Sequence, residues 1–248
     1  MDRAAAIELK IKRAHEHIAD FQRAVEMLKN SYTSSLERYE SIRCQVISYT
    51  LPDVQKLTDD MAVILADAIH NLRVAIEYAW IGAVQKFVPS QRDFYTKFPV
   101  GETRKNVEDR LKSREIDTLA PRLFDRIISD VKPYTTGGNY MIKVLHDLDV
   151  ADKHWLLIPA ISIGQATDII VENEKGEVIT GDSHAVSGHG PYTVCFPLEY
   201  TIQDKGKLSI DVVFGQVDIG LLEGVPILDE LQLFSRITSY VVERLGNV

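Results

Sequence analysis

The sequence has few of the features typical of disulfide scaffolds, membrane spans or phosphate loops. It has two cysteines in 248 residues, without CxxC spacing, which indicates no disulfide framework and fits a reducing cytoplasm. Its apolar runs stay short of the roughly 18 residues that span a bilayer. The glycines form neither GxGxxG nor a P-loop, and the zinc motif HExxH is missing. We therefore expect a cytoplasmic protein with no membrane partner.

Positive charge is also in short supply. The formal net charge is −8 and the isoelectric point is about 5.4. An acidic chain has no long-range field that attracts nucleic acid, so broad nucleic-acid binding is not expected. The composition, 45% hydrophobic and 26% charged, is ordinary for a globular protein. We expect one domain over residues 1–248.

The hydrophobic periodicity predicts an α+β fold. An N-terminal helical bundle with long helices (about 1–154) is followed by an antiparallel β-sheet (about 155–220) and a closing C-terminal helix (about 225–245). The predicted helices cover 3–29, 54–87, 103–112, 116–130, 139–153 and 225–245. The predicted strands are one or two within 32–51, then 155–163, 167–173, 177–180, 191–200 and 207–214. In the first helix, His15 falls on the apolar face and is predicted to lie at an interface, whereas His17 is predicted to face solvent.

A row of polar side chains crosses the second helix. His70, Arg73 and Glu77 share one side of it and have apolar residues on both flanks. Charged groups inside an apolar helix need partners. The row therefore lies either in a buried cleft or on a solvated face, where an Arg73–Glu77 pair adds a few tenths of a kcal/mol.

A second polar group ends the helix that begins near residue 139. Asp152 falls within its core stripe, where a carboxylate loses hydration and opposes the helix dipole. It needs a cation, and we predict that Arg73 supplies it, with His70 or Lys153 as the next candidates. His70 and His154 are expected nearby. Such a contact is either a structural ion pair between two helices or part of a functional site.

Four motifs follow one another in a fixed order along the chain. Residues 70–78 read HNLRVAIEY, residues 98–100 read FPV, residues 132–134 read KPY, and Leu145 to His154 ends in DKH. In this order the chain resembles a widespread, uncharacterised family of bacterial and phage proteins. The resemblance covers roughly residues 5–160 and implies no particular activity.

One functional hypothesis is a site similar to those of the HEPN superfamily. Those proteins cut RNA without metal, using Arg and His on paired helices, often as dimers. By this resemblance the candidate catalytic residues are His70, Arg73 and His154. The two histidines would act as base and acid, and Arg73 and Lys153 would stabilise the phosphorane. Asp149 stands where the HEPN pattern has its arginine.

Two other hypotheses remain open. Asp67 with His70, and His146 with Asp149, are spaced one helical turn apart, as in metal sites of helical bundles. Alternatively the protein is a binding or interaction protein whose pocket holds a small anionic ligand or nucleotide. Its candidate binding residues are Asn71, Glu77, His146, Asp149, Asp152 and Lys153. No cofactor is predicted, and both a metal and a homo-oligomer stay open.

Overall fold

The computed structural model describes residues 2–52, 54–87, 97–153, 159–184, 192–215, 219 and 222–246. The predicted α+β class is confirmed: long helices at the N-terminus, antiparallel sheets and a closing helix. The helices are α1 (Arg3–Lys29), α2 (Val54–Gln85), α3 (Arg104–Lys112), α4 (Ile116–Leu119), α5 (Pro121–Asp125), α6 (Tyr140–Asp152) and α7 (Ile227–Gly246). The strands are β1 (Thr33–Tyr39), β2 (Cys44–Thr50), β3 (Pro159–Glu172), β4 (Val178–His184), β5 (Tyr192–Pro197), β6 (Thr201–Asp204) and β7 (Lys207–Phe214).

Helix α2 lies at the centre of the helical part. It packs against α1, α6, α7 and strand β3. A helix that is apolar on several sides must be covered on several sides, and α2 is: Leu65, Leu72, Ile76 and Trp80 are fully buried. No helix among the described residues is long and apolar enough to cross a membrane.

The strands form two antiparallel sheets rather than one. β1, β2 and β5 make a three-stranded sheet, so the hairpin that follows α1 takes its third strand from the C-terminal half. β3 is the central strand of a four-stranded sheet, with β4 on one side and β6 and β7 paired along it. Buried residues of both sheets and of the helices belong to one hydrophobic core.

Several predicted boundaries were wrong. Residues 155–158 of the first expected strand lie outside the described residues. From residue 159 on, the strands expected at 155–163 and 167–173 are one strand, β3, whose register shifts around Ala166, with Asp168 at φ 59°. A bulge of this kind interrupts the alternation of side chains without ending the strand. The strand expected at 191–200 ends at Pro197, and the short β6 that follows was not predicted.

The helix expected at 116–130 is divided. It breaks at Ala120, and Pro121 starts α5, because proline fits the first turn of a helix but not its interior. The chain continues into a π-helical turn, Arg126–Val131, in which the Lys132 amide donates to the carbonyl of Ile127, at 2.8 Å. The turn at Gly137 and Gly138 then leads into α6.

Candidate functional site

Two hydrogen bonds join the polar sides of α2 and α6. His70 Nδ1 donates to Asp149 Oδ1 over 2.8 Å, and Arg73 Nε donates to His146 Nδ1 over 3.1 Å. From the first bond to the second, the residue number increases on α2 and decreases on α6. The two helices therefore run antiparallel here. One turn of each helix separates the two bonds. We call these four residues, with Glu77 and Lys153, the α2–α6 cluster.

Arg73 is the buried centre of this cluster. Its side chain is only 4% exposed, and Nη2 contacts Glu77 Oε1 at 2.6 Å. Its guanidinium lies over the Phe98 ring, 5.8 Å from the centroid, and Phe98 in turn forms a T-shaped pair with the buried Trp80. A guanidinium enclosed in this way is held in one orientation, and its cation–π contact adds to that.

Both oxygens of each carboxylate in the cluster contact a donor. Glu77 Oε1 binds Arg73, and Oε2 accepts from the Phe98 amide at 2.5 Å. Asp149 is buried; Oδ1 accepts from His70, and Oδ2 accepts from Lys153 Nζ at 2.6 Å. Every carboxylate oxygen therefore already has a donor.

The cluster, by contrast, has N–H donors beyond those used in these contacts. Arg73 Nη1 is buried and has no hydrogen-bond partner among the described residues. Because Arg73 Nε donates to His146 Nδ1, the proton of the neutral imidazole is on Nε2, which is a further donor. Lys153, whose side chain is 54% exposed, has three ammonium protons and one carboxylate contact in the cluster.

Burial and neighbouring charge set the protonation states. Burial, followed by the charge of Arg73, lowers the pKa of His146 to about 4, so this imidazole is neutral at pH 7. Burial also lowers the pKa of Arg73, against the attraction of Glu77 and Asp149. Burial raises the pKa of Glu77, and the charge of Arg73 opposes that shift.

The structure brings together most of the predicted site residues, but with a different pairing. The hydrogen bonds of Arg73 go to Glu77 and His146, so the predicted Arg73–Asp152 contact was wrong. Asp149, one turn earlier, is the carboxylate of α6 that faces α2. Most of the predicted core stripe of α6 is buried, and the buried side also includes Ile142 and Asp149.

The remaining predicted residues lie elsewhere. Asn71 is buried on the side of α2 that faces α1, where Lys10 Nζ donates to its Oδ1 at 3.1 Å. Asp152 is half-buried at the end of α6. His154 lies outside the described residues.

Phe98 was missed as a site residue. Its amide binds Glu77 and its ring covers Arg73, although it comes from a connecting segment far along the chain. The sequence feature that could have pointed to Phe98 was the FPV motif of residues 98–100, for which no role was predicted. Backbone donors have no sequence signature of their own, so this contact could be found only in three dimensions.

The described residues do not support the metal hypothesis. They contain no group of three or more His, Cys, Asp or Glu side chains arranged to hold a metal ion. Asp67 Oδ2 lies 4.0 Å from Nε2 of His17 on α1, whereas His70 is bonded to Asp149.

Comparison with known proteins gives no relative. Protein-family models, curated proteins and solved structures were each searched, and none of them matches this chain.

Proposed function

We propose that the protein binds a small anionic ligand, through a phosphate or carboxylate group, at the α2–α6 cluster. One observation carries this proposal: all four carboxylate oxygens of Glu77 and Asp149 have donors, whereas Arg73 Nη1 has no acceptor within the part of the chain that the structure describes. A buried donor without an acceptor costs about 1–3 kcal/mol. A ligand that brings acceptor oxygens would remove that cost.

The chemistry of the donors favours an oxyanion. A guanidinium, an ammonium group and a neutral imidazole N–H all donate, and a phosphate or carboxylate accepts several such bonds at once. Lys153 and His70 are the exposed members of the cluster, at 54% and 47% of their side chains, so they are accessible to a ligand from solvent. The aromatic neighbours Phe98 and Trp80 are buried and are not available for stacking on a base.

The test is calorimetric titration of the protein with inorganic phosphate and with adenosine 5′-monophosphate. We expect saturable binding of at least one probe, weakened about tenfold (about 1.4 kcal/mol) in Lys153→Met. Lys175→Met is the matched control because Lys175 is exposed in the β3–β4 turn, and it should bind like the wild type. No saturable binding by the wild type, or equal weakening in both variants, would contradict the proposal.

Metal-independent ribonuclease activity is the second candidate, favoured by the His70–Asp149 contact. Asp149 binds Nδ1 of His70, so the other ring nitrogen of this exposed residue is left to take a proton from a substrate hydroxyl. His146 has its pKa lowered to about 4 and is neutral, so its Nε2–H can donate to a substrate oxygen.

This second candidate has its own assay. Cleavage of a mixed-sequence RNA is measured in EDTA, with the wild type, with His70→Ala and with His15→Ala as the control on α1. Activity that is lost in His70→Ala and kept in His15→Ala supports it. A wild type that leaves the RNA intact, or a His70→Ala variant that cuts as fast as the wild type, contradicts it.

A further inference from the structure

The two cysteines, distant in sequence, meet on one face of the three-stranded sheet. The register of β2 and β5 pairs Cys44 with Pro197 and Val46 with Cys195. Alternate residues of a strand share a face, so Cys44 and Cys195 are diagonal neighbours on the same face. Cys195 is exposed and Cys44 is half-buried.

The thiols are also close enough to affect each other. Partial burial raises the pKa of the Cys44 thiol, and the charge and hydrogen bonding of the Cys195 thiol raise it further. The pair therefore consists of an accessible thiol and a shielded thiol beside it.

We propose that Cys44 and Cys195 are a dithiol modification site, which a small disulfide of the glutathione type converts reversibly into a cross-strand disulfide. This site is separate from the α2–α6 cluster and does not depend on the function proposed for it.

The reaction is two thiol–disulfide exchanges. The Cys195 thiolate attacks one sulfur of oxidised glutathione, forming a mixed disulfide and releasing one glutathione thiolate. The Cys44 thiolate then attacks the Cys195 sulfur, forming the protein disulfide and releasing the second glutathione. The two protein thiols are oxidised, the glutathione disulfide is reduced to two thiols, and the released thiolates take up the two protons.

The geometry favours a reversible bond over a permanent one. Diagonal neighbours in a sheet have Cα atoms about 7–8 Å apart, whereas disulfides prefer Cα separations below about 6.8 Å. Closing the bond must draw the strands together, and strained or exposed disulfides are the more easily reduced ones.

A side chain next to Cys44 keeps this end of the sheet together in both states. Gln45 is fully buried, and its Nε2 donates to the carbonyl of Pro197, at 3.1 Å, and to that of Tyr200. Oxidation is therefore expected to change the local strand spacing without separating β2 from β5.

The test is intact mass spectrometry of the full chain after incubation with excess oxidised glutathione. We expect the wild type to lose two hydrogens, peptide mapping to join Cys44 to Cys195, and dithiothreitol to restore the starting mass. Cys44→Ser, which lacks the second thiol, should instead keep one glutathione on Cys195. In denaturant, the oxidised wild type should unfold at a higher midpoint than the reduced protein.

Other outcomes would overturn the proposal. They are wild-type protein that carries one or two glutathiones without an internal disulfide, a disulfide between two chains, or thiols that stay unmodified. The wild-type experiment decides the matter even where a serine variant fails to fold.

Discussion

At the scale of single residues, Arg73 both stabilises the fold and presents the donor on which the proposed function rests. Its contact with Glu77 is largely shielded from solvent, so removing the guanidinium leaves a half-buried carboxylate without its cation. Breaking a buried ion pair on one side is far more costly than breaking an exposed one.

We therefore predict that Arg73→Ala lowers the free energy of unfolding by about 3 kcal/mol. The matched control is Arg104→Ala, which removes another arginine with a glutamate four residues on, Glu108, but on an exposed side of α3. That substitution should cost about 0.3–0.5 kcal/mol. Chemical denaturation measures both, and equal losses would show that burial of the Arg73 pair adds nothing.

His146 gives a prediction in the acid range. Its pKa is lowered from 6.5 to about 4 by burial and by the charge of Arg73. As the pH falls, the unfolded chain therefore binds a proton at His146 at a higher pH than the folded chain does. The contribution of neutral His146 to stability is complete above pH 6.5 and is lost as the pH falls towards 4.

His146→Asn should accordingly reduce the loss of stability between pH 6.5 and pH 4, by comparison with the wild type. His15→Asn, on the exposed side of α1, is the control. Urea denaturation at a series of pH values gives the comparison. A wild-type acid transition that is unchanged in His146→Asn, or an imidazole of His146 that titrates near 6.5 by NMR, would contradict the assignment.

At the scale of elements, the turn before α6 is held by one glycine. A Cβ on Gly138 would lie 2.4 Å from the carbonyl oxygen of Tyr134 and 2.7 Å from that of Lys132. Real side chains do not approach backbone oxygens this closely. A substitution of Gly138 would therefore force a shift in the turn that sets the start of α6.

We predict that Gly138→Ala destabilises the protein by about 2 kcal/mol. Gly181→Ala on strand β4 is the control, because a Cβ there meets nothing within 4 Å; it should change stability by less than about 0.5 kcal/mol. Thermal unfolding of the two variants tests this, and similar melting temperatures would mean that the turn accommodates a side chain.

Local sequence patterns predicted the bounds of a helix or strand well where those bounds depend on its own residues. The bounds of α1 match those expected from its periodicity, and α6 lies within one residue of the helix expected at 139–153. The facing of α1 was less accurate. The prediction for His17 was wrong, because it is buried beside Asp67. His15 is exposed, but it bonds to Ser235 of α7 and so does lie at a contact between helices. The reason is that α1 is packed against α2 and also α7, which a single-helix pattern does not show.

The site was predictable in its composition but not in its pairing. Sequence spacing placed Arg73 and Glu77 on one side of α2 and located the polar end of α6. It could not show which carboxylate of α6 faces α2, because packing between the two helices decides that, and so it predicted Asp152 in place of Asp149. The sheet partner of β2 likewise comes from long-range contacts such as those of Gln45, which leave no local pattern.

At the scale of the whole molecule, the central position of α2 connects these observations. Arg73, near the middle of α2, is enclosed by the Phe98 ring and by α6, and α6 supplies the histidine and the carboxylate that complete the cluster. The resemblance to a bacterial and phage family, the HEPN-like activity and the homo-oligomer stay predictions.

The most direct test of the central claim observes the Arg73 guanidinium itself during a titration with phosphate. In ¹⁵N-labelled protein, its side-chain NMR signals are assigned by their loss in Arg73→Lys, and those of Arg104 serve as the internal control. We predict that the Arg73 signals shift and saturate as phosphate is added while the Arg104 signals stay in place. Arg73 signals that do not move, or that move no more than those of Arg104, would contradict an anion site at the α2–α6 cluster.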